Sequence, residues 1–469
     1  QDIYPLAPLQ AGILYHHISA EQGDPYVLQA QFAFDSRTHL DTFAQTLQTV
    51  INRHDILRTS MHWESLDEPL QVVWRHVELS VEEVQLNPGL GDISRQLQER
   101  LDPRQIRLDI RQAPLMRLVC ALDTVNQRWL ATLMFHHMIL DHTALDQVRY
   151  EMQVCLLGQA DQLGDSIPYR NYVAQARLGL NESDHELFFK EMLGDIDEPT
   201  LPFDLHDVQG DGNAIDQARL MLDSGLSQRL RVQARQLGVS AASLLHLAFA
   251  QMLGRLSGRE HVVFGTVLMG RMQSGEGAER ALGMFINTLP LRVDLGEQAV
   301  RDGVKVTHRR LTGLLGHEHA SLALAQRCSG VVAPAPLFSA LLNYRHSSVA
   351  VTDEALTAWN GMQSLALDDE ERTNYPLTVN VDDMGEGFLF TALVAASIGA
   401  QRLCDYLQLA AEGLVDALEQ APQTPLHAIS ILPLNERKQL LEQWNEPGQH
   451  YANGIPIHQQ FEARAAARP

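Results

Sequence analysis

The sequence predicts an α/β fold in two lobes. Polar and apolar residues alternate in the run YVLQAQFAF (26–34), which is typical of a β-strand, whereas HLDTFAQTLQTVINRH (39–54) repeats apolar residues at helical spacing. Runs of both kinds recur along the chain. The chain has 469 residues, and at roughly 150 residues per domain it is expected to hold more than one packing unit. Mixed strands and helices in two lobes indicate a layered α/β architecture.

The first part of the chain adds further elements. The segment 8–20 has helical spacing and is followed by a Gly-Asp turn. The runs RLVCALD (117–123) and QRWLATLMF (127–135) predict two strands joined by a turn at 124–126. A helical pattern begins at Asp141. The end of a strand is therefore expected shortly before the start of a helix.

A second series of elements follows a looser stretch. The chain becomes polar and irregular between residues 160 and 215, and we expect the lobe boundary near there. The predicted helices beyond it are 225–238, 240–258 and 400–420, and the predicted strands are 261–268, 336–345, 376–383 and 388–395.

Composition argues against several classes of partner and site. The net charge is −22, and a surface this acidic repels a phosphate backbone, so we expect no nucleic-acid partner. No apolar run approaches the ~20 residues that cross a bilayer, and no signal peptide opens the chain, so we expect a cytoplasmic protein without a membrane partner. The four cysteines are scattered without a CxxC pair, which indicates reduced thiols rather than disulfides or a zinc site.

The segment MFHHMILDHTALDQV (134–148) carries the candidate chemistry. Side chains alternate along a strand, so His136 and His137 are expected to point in opposite directions, and only one of them can face a given cavity. Asp141 stands where the next helix begins, which is a favourable N-cap position. Histidine titrates near neutral pH, so a histidine in a cavity, held by a buried carboxylate, is a candidate acid or base.

Three other interpretations of this segment are open. Asp141 can simply cap the helix while both histidines are core residues with satisfied partners. His137, Asp141 and His142 can form a metal site, although the sequence offers no matching ligand cluster elsewhere. His136 and Asp141 also fit the HxxxxD pattern of glycerolipid acyltransferases, which the lack of membrane segments disfavours.

The segment HHMILDH (136–142) resembles the HHxxxDG signature of condensation domains of nonribosomal peptide synthetases. The other motifs of that family stand in the expected order. They are YPLAPLQAGILYHH (4–17), RHDILRT (53–59), YRNYVAQ (169–175) with Asn171 in place of the usual aspartate, LGMFINTLPLR (282–292), the looser HEHASL (317–322), PLFSALLNYR (336–345) and TNYPLTV (373–379). Many motifs in one order are more specific than any single motif.

The resemblance implies two chloramphenicol-acetyltransferase-like lobes that form a V-shaped pseudo-dimer, with residues 1–176 in the N-terminal lobe and 177–432 in the C-terminal lobe. An upstream donor and a downstream acceptor peptidyl carrier protein would bring 4'-phosphopantetheine arms to its centre. The acceptor amine would attack the donor thioester there, without a directly bound cofactor or metal. The tail, 433–469, resembles the linker and beginning of an adenylation domain, so we expect a piece of a longer polypeptide.

The resemblance also implies roles for individual residues. His137 would be the active histidine, which takes a proton from the attacking amine or orients it, and His136 would support the fold. Asp141 is expected to be buried and paired with Arg58, its usual partner in the family. His142 stands where most of the family has glycine, so it would narrow the channel or add a second imidazole there.

The stretch HHISAEQGD (16–24) resembles the HH[I/L]xxxxGD signature of dual epimerisation/condensation domains, which invert the upstream L residue before condensing it. A histidine at position 142 also occurs in that subgroup. Epimerisation needs a base, an acid and stabilisation of an enolate. His137 would be the base, and His16 or His17 would supply or position the second group. These two neighbours differ by ~100° around a helix, so they are not expected to face one cavity.

Other functions remain open. The stretch 16–24 can be an ordinary helix end with a Gly-Asp stop, which leaves condensation without epimerisation, including lipo-initiation with a fatty-acyl donor. A third possibility is a non-catalytic carrier-docking module. Such modules tend to lose the active histidine, so the presence of His137 and Asp141 favours an enzyme.

Overall fold

The computed structural model describes residues 1–20, 22–205, 215–270, 280–346, 359–367, 375–446 and 455–467. Some predicted features fall partly outside these ranges. They are the 16–24 motif at residue 21, the TNYPLTV motif at residues 373 and 374, the loose stretch 160–215 at residues 206–214, and the tail 433–469 at residues 447–454, 468 and 469.

The described residues form strands and helices in alternation. The strands are β1 (Asp2–Pro5), β2 (Val27–Phe34), β3 (Thr59–His62), β4 (Leu70–Val73), β5 (Ser80–Glu83), β6 (Met116–Asp123), β7 (Arg128–His136), β8 (Ile215–Met221), β9 (His261–Met269), β10 (Ile286–Asp294), β11 (Ala340–His346), β12 (Met362–Leu367), β13 (Leu377–Asp383) and β14 (Phe388–Ala395). The α-helices are α1 (Pro8–Ser19), α2 (Arg37–Arg53), α3 (Ile93–Arg100), α4 (His142–Leu156), α5 (Arg170–Leu178), α6 (Glu182–Leu193), α7 (Ser224–Leu237), α8 (Ala241–Ser257), α9 (Val300–Leu315), α10 (Leu322–Arg327), α11 (Ala400–Gln420), α12 (Leu434–Lys438) and α13 (Ile457–Ala467).

The N-terminal lobe is built on a five-stranded sheet in the order β12-β2-β7-β6-β5. Its pairs are antiparallel except β5 with β6. The central strand β7 is buried from Leu130 to His136, as expected for a strand covered on both faces. Leu130 and Met134 pack into one apolar cluster, and Leu133 and Phe135 pack into another on the opposite face.

The C-terminal lobe is built on a six-stranded sheet in the order β10-β9-β11-β13-β14-β8. Strand β11 runs parallel to both of its neighbours. Helix α8 is buried at every residue from Ser243 to Gly254, which agrees with its nearly uniform apolar sequence. It is capped by Ser240 and ends at Gly258, whose positive φ of 68° suits glycine.

The two lobes share apolar packing. The core cluster of the N-terminal lobe includes Ala281, Leu282, Met284 and Phe285, which directly precede β10 of the other lobe. Strand β12 also passes from one lobe to the other: it follows β11 of the C-terminal lobe in the chain, yet it pairs with β2 in the sheet of the N-terminal lobe. The predicted two-lobed α/β fold is therefore confirmed, with the segment before β10 joining the lobes.

No single helix in the described ranges is long and apolar enough to cross a membrane. Helices α7 and α8 together reach that length and composition, but they are bent by 111° at the break between them.

Candidate active site

The predicted histidine pair lies at the end of the central strand β7. His136 is its last residue, is fully buried, and lies opposite Val27 of β2. His137 is only partly buried, and its backbone N–H donates to the Tyr26 carbonyl oxygen at 2.8 Å. The two side chains therefore occupy different environments, as the alternation along the strand predicts.

One nitrogen of the His137 ring is engaged by the backbone. Nδ1 lies 2.7 Å from the Leu140 carbonyl oxygen. A carbonyl oxygen can only accept a hydrogen bond, so Nδ1 carries the proton in this contact, and Nε2 of the neutral ring is left with its lone pair. In this tautomer Nε2 is the nitrogen that can accept a proton.

Asp141 caps helix α4 and also ties the two lobes together. Its carboxylate accepts from the Ala144 N–H at 2.7 Å, which is the predicted N-cap bond. The other carboxylate oxygen accepts from the Phe285 N–H at 3.0 Å. The Asp141 N–H in turn donates to the Gly283 carbonyl oxygen at 3.2 Å. Asp141 is 2% exposed, so these bonds are shielded from water.

The predicted pair of Asp141 with Arg58 is wrong. The guanidinium of Arg58 binds the side-chain oxygen of Gln1 at 2.6 Å and the carbonyl oxygens of Trp74 and Arg75. Arg58 ends a short 3-10 turn just before β3, so its side chain reaches the chain leaving β4. Both oxygens of Asp141 instead accept backbone N–H groups from the start of its own helix and from the other lobe.

His142 is the first residue of α4, and its side chain is 55% exposed. Its Nε2 lies 3.8 Å from the Asp146 carboxylate one turn along the helix. The replacement of the family's glycine therefore places an imidazole on the surface of the helix start. An effect on a substrate channel stays a prediction.

His17 and His136 converge on a buried carboxylate that the residue-by-residue prediction did not single out. Nδ1 of His17 lies 2.5 Å, and Nε2 of His136 3.0 Å, from the same oxygen of Asp24. The other oxygen of Asp24 accepts from the Tyr26 N–H at 2.9 Å. Asp24 is 1% exposed. The Gly-Asp end of the 16–24 motif was the available signal for this residue.

Glycine is required next to this carboxylate. Gly23 has a positive φ of 63°, and a Cβ there would lie 2.4 Å from the Arg104 carbonyl oxygen. The Asp24 N–H donates to the Pro103 carbonyl oxygen at 2.8 Å. The turn is thus held against the segment 103–104 by a close approach that a side chain would prevent.

The charges in this cluster follow from its hydrogen bonds. Burial works to raise the pKa of Asp24, but the hydrogen bonds from His136, His17 and the Tyr26 N–H outweigh it and hold that pKa well below its usual range. Burial lowers the pKa of His136 despite the neighbouring carboxylate. The cluster therefore contains an ionised Asp24 and a neutral His136.

His16 and His17 have different surroundings, as expected for neighbours on a helix. The ring of His16 lies 5.9 Å from the ring of Tyr26. Burial lowers the pKa of His16, and the charge of Asp24 partly opposes this. His17 is 7% exposed, and its Nδ1 forms a hydrogen bond with the carboxylate of Asp24.

The His17–Asp24–His136 cluster also has the residue types of a metal site, with its candidate ligand atoms all within 4.8 Å of one another. Its geometry is that of hydrogen bonds, because both ring nitrogens point directly at the same carboxylate oxygen of Asp24, at 2.5 and 3.0 Å, rather than at an ion position between the three side chains. The second nitrogen of His136, Nδ1, accepts from the Met138 N–H. Within the part of the chain that the structure describes, His137, Asp141 and His142 do not form such a group.

Cavities lie among the described residues away from the predicted site. One of about 250 Å³ is lined by Arg231, Ala234, Arg235, Val239 and Ala241. Another, of about 190 Å³, lies beside residues 88–93 and the β6–β7 turn. Neither is lined by a predicted site residue, so the substrate passage at His137 stays a prediction.

Comparison with known proteins identifies the family. The family model "Condensation domain" matches residues 1–441. Malpinin synthetase of Mortierella alpina is 46% identical over 469 residues, covering 100% of this chain and 6% of that protein. Malpibaldin synthetase of the same organism is 45% identical over 469 residues, covering 100% of this chain and 8% of that protein. The chain thus spans a small fraction of the length of these synthetases.

Solved structures agree on the fold. A four-domain nonribosomal peptide synthetase matches with a TM-score of 0.71 at 15% identity, covering 93% of this chain and 34% of that one. The first condensation domain of the CDA synthetase matches with a TM-score of 0.67 at 16% identity, covering 92% of this chain and 100% of that one.

The family match defines the class of protein, since condensation domains are acyltransferases that form amide bonds. The chain belongs to the condensation-domain family of nonribosomal peptide synthetases.

Proposed function

We propose that this chain joins a donor peptidyl thioester on an upstream carrier protein to an aminoacyl group on a downstream carrier protein. The observation that carries the proposal is the tautomer of His137. Its Nδ1–H is held by the Leu140 carbonyl oxygen, so its Nε2 is available to accept a proton. The match of the whole chain to two synthetases supports the same reaction.

The reaction balances without a further reactant. The acceptor's α-amine attacks the donor carbonyl, a C–N bond forms and the C–S bond breaks. His137 Nε2 accepts or orients the amine proton, which passes to the departing thiolate. The thioester is already activated, and holding two tethered substrates together supplies much of the acceleration. The 4'-phosphopantetheine arms belong to the carriers and present the two reacting groups.

We propose that residues 1–176 and 177–432 form the two lobes, with 281–285 and 362–367 of the second range packing in the first lobe. Tyr169, Tyr172 and Val173 pack in the N-terminal core, whereas Phe189 of α6 packs in the C-terminal one. For the segment 433–469, we propose a linker and the beginning of an adenylation domain on the resemblance alone. We also propose a cytoplasmic location.

We further propose that the donor residue is epimerised before condensation. His137 would remove the proton from Cα, and a group positioned by the 16–24 motif would return it to the other face. The motif residues lie together with the strand end: His17 and His136 share the carboxylate of Asp24. His16 contacts the ring of Tyr26, whose carbonyl oxygen binds the His137 N–H.

The test uses an upstream carrier loaded with either the L or the D form of an aminoacyl peptide, and a downstream carrier loaded with an L amino acid. Chiral analysis of the product follows. A D residue in the product from the L donor is expected. A product that keeps the L residue would leave condensation but eliminate epimerisation.

The same assay separates the other functions. A fatty-acyl donor that outcompetes both peptidyl donors would indicate lipo-initiation. Carrier binding without product from any donor would indicate a docking module. Turnover with both peptidyl donors is expected instead, because a docking module has no need of the oriented His137 ring.

A further inference from the structure

We infer that Asp24 is a positioning residue of the reaction site, which holds His137 in place through the backbone of Tyr26 and fixes the tautomers of His17 and His136. It does not touch substrate, because it is 1% exposed. The effect of Asp24 on activity rests on the proposed condensation reaction, whereas the geometry of the cluster does not.

The first step concerns the number of bonds that Asp24 accepts. One oxygen accepts hydrogen bonds from two ring nitrogens, His17 Nδ1 at 2.5 Å and His136 Nε2 at 3.0 Å. The other oxygen accepts from the Tyr26 N–H at 2.9 Å. An ionised carboxylate accepts all three of these bonds, whereas a protonated carboxyl group would also have to donate from one oxygen. The carboxylate thus joins the end of α1, the end of β7 and the start of β2.

The second step concerns the proton on His136. Nδ1 of this ring accepts from the Met138 N–H at 3.2 Å, so the ring proton lies on Nε2 and points to Asp24. Both nitrogens of His136 are therefore committed within the protein. This ring cannot act as the base and instead anchors the strand end that carries His137.

The third step links Asp24 to the active histidine. The N–H of Tyr26 binds Asp24, and the carbonyl oxygen of the same residue accepts the His137 N–H at 2.8 Å. A shift of residue 26 therefore moves His137. Misplacement of a catalytic group by about 1 Å can cost ~10²-fold in rate.

The fourth step concerns His17. Its Nδ1–H points to a buried carboxylate, so Nε2 of the neutral ring has the lone pair. The same order of groups, carboxylate to Nδ1–H with a lone pair on Nε2, orients the base in serine hydrolases. Asp24 thus fixes which nitrogen of His17 is presented to its surroundings.

The decisive variant is Asp24→Asn. The amide keeps the shape but replaces one oxygen by an NH2 donor. If that donor faces the rings, His136 would have to move its proton to Nδ1, where it would oppose the Met138 N–H. If the donor faces residue 26, the Tyr26 N–H loses its acceptor. Neither orientation satisfies all three groups.

In the full chain, Asp24→Asn is expected to lower kcat for condensation with a D donor by about 10- to 100-fold. The KM for the acceptor carrier should stay unchanged. The decrease in kcat should exceed any decrease in the amount of folded protein. The control is Asp165→Asn, which changes an exposed aspartate and should leave kcat unaltered. A folded Asp24→Asn variant within twofold of the wild-type rate would overturn the inference.

A second measurement covers a variant that does not fold. In the wild-type protein with ¹⁵N-labelled histidine, NMR should show His136 as the Nε2–H tautomer and His17 with its proton on Nδ1. The opposite tautomer at either ring would overturn the inference. Absence of product from wild-type protein with every donor would instead refute the proposed function and leave the tautomer result standing.

Discussion

Nδ1 of His137 lies 2.7 Å from the carbonyl oxygen of Leu140, within the short turn that connects strand β7 to helix α4. The backbone of this turn therefore selects the histidine tautomer. The ring needs no carboxylate partner for this purpose, and Asp141 serves the architecture around it. The catalytic role proposed for His137 and the structural role of Asp141 thus belong to residues four positions apart.

Replacement of His137 by alanine is expected to reduce condensation without abolishing it. Proton transfer by a positioned base contributes typically ~10²–10⁴-fold, which sets the upper limit for the loss. An α-amine with a pKa near ~7.7–8.0 is already partly unprotonated at neutral pH, so part of the rate should survive. Single-turnover kinetics with preloaded carriers measures the loss directly.

The matched control for His137→Ala is His76→Ala, which removes an exposed imidazole. It should leave the rate of amide formation unaltered. If His137→Ala also turned over at the wild-type rate while remaining folded, His137 would have no role as base or orienting group.

Replacement of Asp141 by alanine is expected to destabilise the fold by about 2–4 kcal/mol, since it removes a helix cap and leaves the buried Phe285 N–H without this acceptor. Asp141→Asn should cost less, because one oxygen remains. Denaturant unfolding measures both.

Asp92→Ala removes an exposed cap of α3 whose side chain, among the described residues, accepts only from the Arg95 N–H. Its cost should be about 1 kcal/mol. Equal costs for Asp92→Ala and Asp141→Ala would argue against the tie between the lobes.

Gly12 of the 4–17 motif and Gly23 of the 16–24 motif should respond to alanine in opposite directions. Gly12 lies inside α1, and a Cβ there meets nothing within 4 Å, so Gly12→Ala should stabilise by about 0.5–1 kcal/mol. Gly23→Ala should destabilise by more than that, because φ is positive and the Cβ would strike the Arg104 carbonyl. Thermal melting of the pair tests this, and a stabilising Gly23→Ala would contradict the turn geometry.

The local features of the site could be predicted because their signals lie within a few residues. The alternation along β7 predicted the separation of His136 from His137, and the residue type at 141 predicted the cap of α4. Helix α11 was predicted with its observed bounds, Ala400–Gln420, because its apolar stripe is long and uninterrupted. The bounds of strands β2, β6 and β7 were predicted to within one residue for the same reason.

The long-range features could not be predicted from such patterns. Strand β12 (Met362–Leu367) pairs with β2 (Val27–Phe34) although the two lie far apart in the sequence, and no local pattern encodes a strand's partner. Arg58 was assigned to Asp141, but a long guanidinium binds the acceptors that lie nearest, and these are carbonyl oxygens beside β4. The sequence indicated Asp24 only as the last residue of the 16–24 motif. Its hydrogen bonds to His17 and His136 could not be predicted, because the two histidines are distant from each other in the sequence.

The HEHASL motif (317–322) contains a buried carboxyl group that should make stability depend on pH. Glu318 is 2% exposed, and its Oε1 has no hydrogen-bond partner among the described residues. Burial raises the pKa of Glu318 from 4.5 to about 7. The neighbouring His319 ring lies 3.8 Å away, but burial lowers its pKa to about 4, so it offers no compensating charge near neutral pH.

Because the folded state holds the Glu318 proton more tightly than the unfolded state, the contribution of Glu318 to the free energy of unfolding should fall as the pH rises from about 4.5 to about 7. Glu318→Gln removes this dependence. Its stability relative to wild type should therefore increase across that interval by about 3 kcal/mol and stay constant above it. Denaturant unfolding at a series of pH values measures the difference. Glu297→Gln, at a side chain 91% exposed, should show no such slope; a Glu318→Gln difference that is independent of pH would mean that the carboxyl is hydrated in the folded protein.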